Sequence, residues 1–385
     1  MTTTRLVYQD QNREMNLNYM ASGFKPMANG AFPSLGEAWR LSKNLRYVNY
    51  VGQYAAANFR KFALLGDPAL PLAFPKYRVH TDSMNGVSVN VSYDTLKALG
   101  KYTISGHISD QNGTLLSDFN GYVYPTILDK PKKLSTLQNG TDNPKRDYYV
   151  QNNTLYKGKA SVKNGKFSFT FVVPKDINYQ IANGKISYYA ENGIDDAAGN
   201  DKKIWIGGSS SQAGNDLSGP MIKAYLNNEK FVNGGITTPN STLILKLSDD
   251  NGINYTGNSV GHDITATLDG NAQGIYVLNS FFEADVDDYR SGSVNFPLSN
   301  LSVGKHTLRI KAWDISNNSS EAELQFEVVA DENGQLSHVY NYPNPFTTST
   351  RFMFEHNMPN QPLRVDLKIF SATGKVVKQI QTLIQ

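Results

Sequence analysis

The stretch Phe62–Pro75, Phe-Ala-Leu-Leu-Gly-Asp-Pro-Ala-Leu-Pro-Leu-Ala-Phe-Pro, divides the sequence into two parts of different character. Its first four residues are apolar and predict a short buried strand, which the turn signal Gly66-Asp67-Pro68 ends. Pro71 and Pro75 then disfavour a helix and cannot donate hydrogen bonds to a sheet. Helix and strand patterns are mixed before this stretch, whereas nearly every segment after it has a strand pattern. We therefore expect the last strand of one domain here, followed by a connection to β modules.

Length and composition limit the possible functions before any motif is considered. At 385 residues the chain is long enough for two or three domains of roughly 150 residues each. Its net charge of +3 is close to balance, which argues against a nucleic-acid-binding protein. The 22 Tyr, 18 Phe and 31 Gly favour β modules joined by turns. No apolar run of about 18 residues predicts a membrane-spanning helix, and the first residues lack the features of a signal peptide.

One strand and one helix are predicted before the dividing stretch. Thr2–Tyr8 has a β-type pattern, and its end would lie at the carboxyl edge of a sheet, where ligands gather in open α/β proteins. Thr2–Arg5 is therefore a candidate border of a substrate pocket, although an ordinary buried strand is the simpler interpretation. Ser34 and Glu37 have the spacing of a capping box, and apolar residues recur after them at helical intervals. This pattern predicts an amphipathic helix over Ser34–Tyr47.

Two β modules are predicted after the dividing stretch. Residues 76–206 read as a β-sandwich, in which Asn164-Gly165 between two alternating runs is typical of a two-residue hairpin. The Gly- and Ser-rich residues 207–217 have the composition of a flexible linker. Residues 218–330 then alternate in the manner of an immunoglobulin-like sandwich of about seven strands, without the disulfide of that fold. The fold class is therefore mainly β, with the end of an α/β domain in front.

The tail, residues 339–385, opens with Tyr340-Asn341-Tyr342-Pro343-Asn344-Pro345-Phe346 and continues with alternating strand patterns. Two prolines in four residues give an extended entry, and Asn before each proline favours the start of a turn. Gly374 interrupts the alternation before a last apolar run. The residues alone predict a β-hairpin module.

Three segments at the beginning of the chain carry a family resemblance. They are Thr2–Tyr8, Phe32–Ala38 and Asn58–Pro75, in that order, and together they resemble the end of the catalytic domain of gingipain-type cysteine peptidases. Within that family the likeness is to the sortases of the bacterial type IX secretion system. The tail motif Asn-Tyr-Pro-Asn-Pro-Phe is similar to the C-terminal signal domain of type IX cargo, which has further strands. The resemblance therefore implies that residues 1–75 end a caspase-like catalytic domain and that 339–385 form a partial signal domain.

The resemblance also implies an activity, a location and partners. Members of the family attack peptides with a Cys thiolate assisted by a His, and remove C-terminal signal domains from secreted cargo. They then help to attach the product to lipopolysaccharide at the outer-membrane surface. The implied partners are cargo proteins with such domains and a PorV-type outer-membrane attachment complex; no cofactor is implied. The family places both catalytic residues before the segment that Thr2–Tyr8 matches, and the sequence has no cysteine. The resemblance therefore implies a catalytic Cys and His upstream of Met1, and we expect the chain alone to be inactive.

A second class of function remains open, namely a non-catalytic type IX secreted adhesin or spacer protein made of β-sandwich modules. The three N-terminal segments argue against it, because an adhesin has no need for the end of a peptidase domain. A Cys and a His in peptidase context upstream of Met1 would decide for the sortase, whereas a signal peptide directly before Met1 would decide against it.

No site of catalysis, cofactor binding or metal binding is predicted within the chain itself. The six histidines are dispersed without metal-ligand spacing, at positions 80, 107, 262, 306, 338 and 356. Three acidic clusters offer oxygen ligands of the kind that calcium prefers: Asp195-Asp196, Asp249–Gly252, and Asp285 with Asp287 and Asp288. None has EF-hand spacing, and Asp, Asn and Gly are ordinary turn residues, so structural roles are the simpler interpretation.

Overall fold

The computed structural model describes residues 2–3, 6–49, 60–140, 144–211, 214, 216–256, 261–271, 274–329, 336–356, 363–371, 374 and 376–384. The architecture is mainly β, which confirms the predicted fold class. The chain forms two compact units, Met1–Lys76 and Tyr77–Gln385, and each is described by itself. None of the helices in the described part of the chain is long and apolar enough to span a membrane.

The N-terminal unit contains two helices and one short pair of strands. Its elements are β1 (Thr2–Thr3), α1 (Gln9–Gly23), α2 (Leu35–Asn49) and β2 (Phe62–Ala63). β1 and β2 pair antiparallel, so the two predicted strands of this unit meet each other. Thr4 and Arg5 of the candidate pocket border, and Asn58 and Phe59 of the family motif, lie outside the described residues.

Helix α1 is not predicted by the sequence pattern, and its composition explains why. Only Met15 and Gly23 are buried along it, so it lacks the apolar stripe by which an amphipathic helix is recognised. Met15 packs with Phe62, and Val7 and Trp39 contact this pair. One buried anchor, rather than a periodic face, therefore fixes α1.

Helix α2 begins where the sequence predicts, but its first turn is capped in an unexpected way. Ser34 Oγ accepts the amide of Glu37 at 3.2 Å, as in a capping box. Glu37 does not complete the box in the expected way, because it accepts two hydrogen bonds from Arg40 at 2.8 and 2.6 Å. The capping prediction is thus confirmed for Ser34, whereas Glu37 is placed differently.

The dividing stretch supplies the rest of this cap. The carbonyl of Leu70 accepts the amide of Leu35, and that of Pro68 accepts the amide of Gly36, both at 2.8 Å. Amides of the first turn have no partner within their own helix, so these two carbonyls satisfy donors that would otherwise need water. The approach is close, since a Cβ on Gly36 would lie 2.7 Å from Pro68 Cβ and 2.8 Å from Pro68 O. Gly36 is therefore required for this contact.

The first module of the second unit is formed by the strands from Tyr77 to Ser209. They are β3 (Tyr77–Met84), β4 (Val87–Ser88), β5 (Thr95–Ala98), β6 (Lys101–Ser109), β7 (Gly121–Leu128), β8 (Lys132–Ser135), β9 (Asp147–Val150), β10 (Thr154–Lys157), β11 (Ala160–Lys163), β12 (Lys166–Val172), β13 (Ala182–Asn183), β14 (Lys185–Glu191), β15 (Asp196–Asp201) and β16 (Trp205–Ser209).

Seven of these strands pair in a closed ring, in the order β3, β6, β12, β11, β7, β14, β15 and back to β3. The β15–β3 pair is parallel, and the other pairs in the ring are antiparallel. β5, β13 and β16 form a smaller sheet beside the ring, and β8 and β9 form a separate hairpin. The alternating strands expected for residues 76–206 are present, and their pairing closes the sheet on itself, although β11 pairs with β12 only at Val162 and Lys163.

The inner face of this ring follows the predicted alternation. In β12, Phe167, Phe169 and Phe171 are buried, and Phe171 stacks on Tyr156 with centroids 4.9 Å apart. The hairpin between β11 and β12 turns at Asn164-Gly165, whose φ angles are +51° and +71°. Positive φ at both central residues is the geometry that Asn-Gly favours, so the predicted hairpin is confirmed.

The segment expected to be a linker, residues 207–217, overlaps with the last strand of the first module. Gly207–Ser209 belong to β16, which pairs with β5 and β13. Gly207 approaches the backbone of Gln180 so closely that a Cβ there would lie 2.6 Å from its carbonyl oxygen. Glycine at this position thus serves a close strand contact, although in the sequence it looks like linker composition.

The second module is a sandwich of two sheets. Its elements are β17 (Met221–Leu226), β18 (Gly235–Thr237), β19 (Ser241–Ser248), β20 (Ile253–Asn254), β21 (Thr265–Leu268), β22 (Ile275–Val277), a 3-10 turn (Asn279–Phe281), β23 (Phe282–Ala284), β24 (Ser291–Leu298), β25 (Gly304–Asp314) and β26 (Ser319–Val328).

One sheet of the sandwich has the order β17-β19-β24-β23, and the other has β18-β26-β25-β21-β22 with β20 also paired to β25. The inward residues of β19 and of β26 are fully or nearly fully buried, among them Leu243, Leu245 and Leu324. At the end of the module, β25 and β26 pair antiparallel along most of their length. The strand count exceeds the expected seven because β18, β20, β22 and β23 have only two or three residues each.

The tail consists of two separate hairpins. Its strands are β27 (Leu336–Tyr342), β28 (Arg351–His356), β29 (Leu363–Phe370) and β30 (Val376–Ile384), with β27 paired to β28 and β29 to β30. Every residue of β30 is exposed, including Val377 at 67% and Leu383 at 63%. A two-stranded sheet without a packed face is only marginally stable.

The cap of α2 generates the first testable prediction. Gly36→Ala should destabilise the N-terminal unit by about 1–3 kcal/mol, because the new Cβ collides with Pro68 and breaks the cap despite the better helix propensity of Ala. Gly23→Ala is the matched control, since its Cβ would meet Ala38 Cβ at an ordinary 3.4 Å. Hydrogen exchange of the amides of α2 measures the effect. Equal protection in the two variants would contradict the assigned role of Gly36.

The exposed tail generates the second prediction. In limited proteolysis of the whole chain, the first cuts should fall between about residue 330 and the end of β30, because no described residue of the tail is buried. Mass spectrometry of the early fragments identifies the sites. First cuts within the second module, at residues 221–328, would show that the tail is the more protected part.

Candidate functional site

A group of three carboxylates is the candidate site that the structure brings together. Asp216, Asp249 and Asp314 each present an oxygen, and these oxygens lie within 4.8 Å of one another. In the part of the chain that the structure describes, no other three His, Cys, Asp or Glu side chains converge in this way. The group is called the acidic cluster below.

Three different segments of the second unit position the acidic cluster. Asp314 is the last residue of β25 and is fully buried, Asp249 follows β19, and Asp216 lies just before β17. Strands β19 and β25 belong to opposite sheets, so the cluster lies where two loops and the entering chain meet at one end of the sandwich.

Hydrogen bonds to two asparagines connect the carboxylates. Asn318 donates its amide and its Nδ2 to Asp314, both at 2.7 Å, and its Nδ2 also reaches the carbonyl of Asp216 at 3.0 Å. Asn251 Nδ2 donates to Asp216 Oδ2 at 2.7 Å, and its backbone amide donates to Asp249 Oδ1 at 2.8 Å. The segment expected to be a free linker is therefore fixed at Asp216.

The electrostatics of the acidic cluster are unfavourable when all three groups are ionised. Burial, together with the neighbouring charges of Asp249 and Asp216, raises the pKa of Asp314 to about 6. Burial also raises the pKa of Asp249, with contributions from Asp216 and Asp250. Burial alone would raise the pKa of Asp216 as well, but its hydrogen bonds from Asn251 and Ser218 outweigh burial and lower it. One of the buried carboxyls thus retains a proton more readily than a free Asp.

The arrangement can do one of two things chemically. Carboxylate oxygens are the ligands that Ca²⁺ prefers, so Asp216, Asp249 and Asp314 could hold a hard divalent cation if other oxygens completed its shell. Alternatively, a proton on Asp314 reduces the repulsion between the carboxylates. Either solution neutralises negative charge at the end of the second module.

The acidic residues singled out in the sequence have different roles in the structure. Asp249 joins the acidic cluster, whereas Asp250 beside it is exposed. Asp285 accepts a hydrogen bond from Ser291 at 2.6 Å, and Asp288 accepts the amide of Arg290 at 2.9 Å. These last two contacts are ordinary turn interactions.

In the loop of Asp195-Asp196, Asn192 Oδ1 accepts the amides of Ile194 and Asp195 at 3.0 and 2.8 Å. This local turn accounts for the loop, and its two aspartates join no group of three within the described residues.

The histidines lie in several places, and two of them are neighbours. His80 and His107 face each other across β3 and β6 with ring centroids 4.9 Å apart. His107 contacts Asp82 at 2.7 Å, and His80 contacts Ser109 Oγ at 2.8 Å. Burial, with the nearby His107, lowers the pKa of His80. Sequence spacing could not reveal this pair, because a register between strands brings it together.

The other four histidines lie apart from one another. His262 contacts Asp176 at 2.7 Å, and His306 contacts Asp269 at 2.8 Å. His338 contacts Glu355 at 2.9 Å, and His356 lies beside the ring of Phe354. Each has a local structural contact of the kind expected for a residue on a strand face or in a loop.

Comparison with known proteins finds a family model that matches the N-terminal unit. Residues 1–73 match the family model of peptidase family C25, the gingipain family. The match ends close to the boundary between the two compact units at Lys76 and Tyr77. The resemblance to gingipain-type peptidases that the sequence carries is thereby confirmed.

Among solved structures, the chain is similar to dimeric latent PorU from Porphyromonas gingivalis. The identity is 31%, the likeness covers 94% of this chain and 34% of that chain, and the TM-score is 0.44. The chain therefore spans about a third of the length of that protein. The fibronectin(III)-like modules of Clostridium thermocellum CbhA match with 10% identity over 68% of this chain and 100% of theirs, at a TM-score of 0.21. No curated protein matches the chain.

The acidic cluster generates the third prediction. Because the pKa of Asp314 is raised in the folded protein, its ionisation costs stability above about pH 6 and costs nothing below the pKa of an unfolded Asp. Asp314→Asn should therefore raise the melting temperature by a few degrees near pH 8 and leave it unchanged near pH 4, as thermal unfolding at several pH values would measure.

Asp250→Asn is the matched control for this experiment, since Asp250 is an exposed carboxylate in the same loop as Asp249. It should not change the pH dependence of unfolding. A destabilising effect of Asp314→Asn near pH 8 that appears only with added Ca²⁺ would identify a cation, rather than a proton, as the group that neutralises the acidic cluster.

Proposed function

We propose that this chain is the C-terminal part of a PorU-like sortase of the type IX secretion system, in which Met1–Lys76 ends a C25 peptidase domain. One observation carries the proposal: the C25 match covers residues 1–73, which is nearly the whole of one compact unit. The likeness to PorU extends over 94% of the chain and so includes the β modules.

The N-terminal unit has the properties of a domain end. Its two strands contribute two residues each, and its buried cluster consists of Met15 and Phe62 with Val7 and Trp39 beside them. Leu6 and Leu65 are 93% and 74% exposed. The residues of this unit that the structure describes bury little apolar surface, which supports the proposal that further residues of a peptidase domain pack against it.

The chemistry of the intact protein would be that of a cysteine peptidase. The His takes the proton of the Cys, and the thiolate attacks the carbonyl at the junction of cargo and signal domain. The peptide C–N bond breaks, the signal domain leaves as an amine that takes the proton from the His, and the cargo remains as an acyl-enzyme. Water would release a free carboxylate, whereas an amine would take the acyl group and become joined to the cargo. This chain contains no cysteine, and the family resemblance implies that both catalytic residues precede the matched segments, so an upstream part would supply them.

The proposed setting follows from the same likeness. The protein would act at the outer face of the outer membrane on cargo with C-terminal signal domains, together with a PorV-type attachment complex. The tail, with its Asn-Tyr-Pro-Asn-Pro-Phe opening, would be part of a signal domain of the protein itself.

The alternative, a non-catalytic secreted adhesin or spacer, accounts for the β modules but not for the N-terminal unit. The C25 match distinguishes the two possibilities, because an adhesin built of β-sandwiches has no reason to contain the end of a peptidase domain. We therefore favour the sortase.

The fourth prediction tests this function. The purified 385-residue chain should neither cleave a peptide that spans a cargo–signal junction nor react with thiol-directed probes. The same chain extended by its natural upstream sequence should do both, as cleavage assays and mass spectrometry of the labelled protein would measure.

The extended protein with its upstream catalytic Cys replaced by Ala is the control, and it should fold but not cleave. Cleavage by the 385-residue chain alone, or an upstream sequence without Cys and His, would refute the proposal.

A further inference from the structure

The two β modules of the second unit meet along an open strand edge of the first module. Strand β11 pairs with β12 only at Val162 and Lys163, so the residues before them have no partner strand on that side. An unpaired edge exposes main-chain donors and acceptors, and a protein normally covers or blocks such an edge.

The second module provides the missing partners at every other residue of this edge. Tyr255 Oη accepts the amide of Lys157 at 2.6 Å and donates to its carbonyl at 2.8 Å. The amide of Asp287 donates to the carbonyl of Lys159 at 2.9 Å, and Asp287 Oδ1 accepts the amide of Ser161 at 2.7 Å. A parallel bridge joins Lys159 and Val286.

Tyr255 and Asp287 are held in place for these contacts by their own module. Tyr255 is 9% exposed, and its ring stacks on Phe282 with centroids 4.6 Å apart. Asp287 has a φ of +59°, a backbone conformation that Asp adopts more readily than most residues. Tyr255 therefore reaches the edge from a buried, stacked position, and Asp287 reaches it with both its main-chain amide and its carboxylate.

A second group of contacts lies on a different loop of the first module. Asp176 accepts the Nδ2 of Asn317 at 2.7 Å and contacts His262 Nδ1 at 2.7 Å. The amide of Lys175 donates to the carbonyl of Ile315 at 2.9 Å.

An apolar contact accompanies these polar ones. Tyr289 of the second module packs against the hydrophobic core of the first module. Two separated groups of hydrogen bonds and one apolar contact fix the distance between the two modules and their relative orientation. Main-chain groups of both modules take part in these hydrogen bonds.

We propose that the two modules form one rigid body, in which the second module covers the open edge at Lys157–Ser161. The clamp consists of Tyr255, Asp287 and Asp176 with their partners. It goes beyond the proposed sortase function, since it would hold equally in an adhesin.

The absence of cysteine makes a direct test possible in the whole chain. Lys166→Cys in the first module and Lys305→Cys in the second place two spin labels at exposed strand positions. Pulsed electron resonance then reports the distribution of distances between them. If the two modules form one rigid body, the distribution has a single narrow peak. A broad distribution in the protein that carries only the two cysteine substitutions would overturn the proposal.

Removal of the clamp is the second arm of the test. Tyr255→Phe combined with Asp287→Ala should broaden the narrow peak, because Lys157 and the amide of Ser161 lose their side-chain partners, while the main-chain bond from Asp287 to Lys159 remains. Tyr189→Phe, at an exposed tyrosine elsewhere in the first module, is the control and should leave the peak unchanged. A peak that stays narrow in the double variant would refute the assignment of the clamp.

If circular dichroism shows that the double variant does not fold, the single variant Tyr255→Phe tests the role of Tyr255 in the clamp instead. It preserves the ring that stacks on Phe282 and removes only the hydroxyl. Broadening in this variant supports the clamp, and an unchanged narrow peak refutes the role of Tyr255.

Discussion

The pairing of β7 on both of its sides is the constraint on which the second unit depends. One side pairs with β14 from Leu128 to Tyr122, and the other pairs first with β10 and then with β11. A buried main-chain group without a partner costs about 1–3 kcal/mol, so a strand as long as β7 is stable in the interior only if both sides are paired. Closing the ring at β7 meets this requirement, and the core forms inside it. The short break between β10 and β11 leaves the edge that the second module covers.

Much of the fold could be predicted because its causes are local. The alternation of Phe167, Phe169 and Phe171, the Asn164-Gly165 turn and the cap at Ser34 each depend on neighbouring residues and the ordinary geometry of strands and helices. The ring closure, the helix α1 and the extent of β16 depend on partners far away in sequence. For α1 the single anchor Met15 carries no periodicity, and for Gly207–Ser209 the composition of a strand in close contact is the same as that of a linker.

The same distinction applies to the candidate site. Asp249 belongs to an acidic run that is visible in the sequence, but Asp216 and Asp314 are single aspartates that no local pattern marks. They meet Asp249 because β19 and β25 end on the same side of the sandwich, which is a property of the topology. The resemblance of the N-terminal unit to C25 peptidases is visible in the sequence because each of its motifs is a contiguous run of residues.

The capping of α2 by Pro68 and Leu70 has a consequence for how the protein is made. A ribosome synthesises Leu35 and Gly36 well before the residues whose carbonyls receive their amides. During that interval the amides in the first turn of α2 can bond only to water, because the Gly-Asp-Pro turn against which the helix packs has not yet been synthesised. The N-terminal unit therefore cannot complete its folding in the order of translation. It must wait for the dividing stretch, which also leads into the β modules. Helix α2 therefore acquires its final hydrogen-bond partner at about the time that this stretch leaves the ribosome.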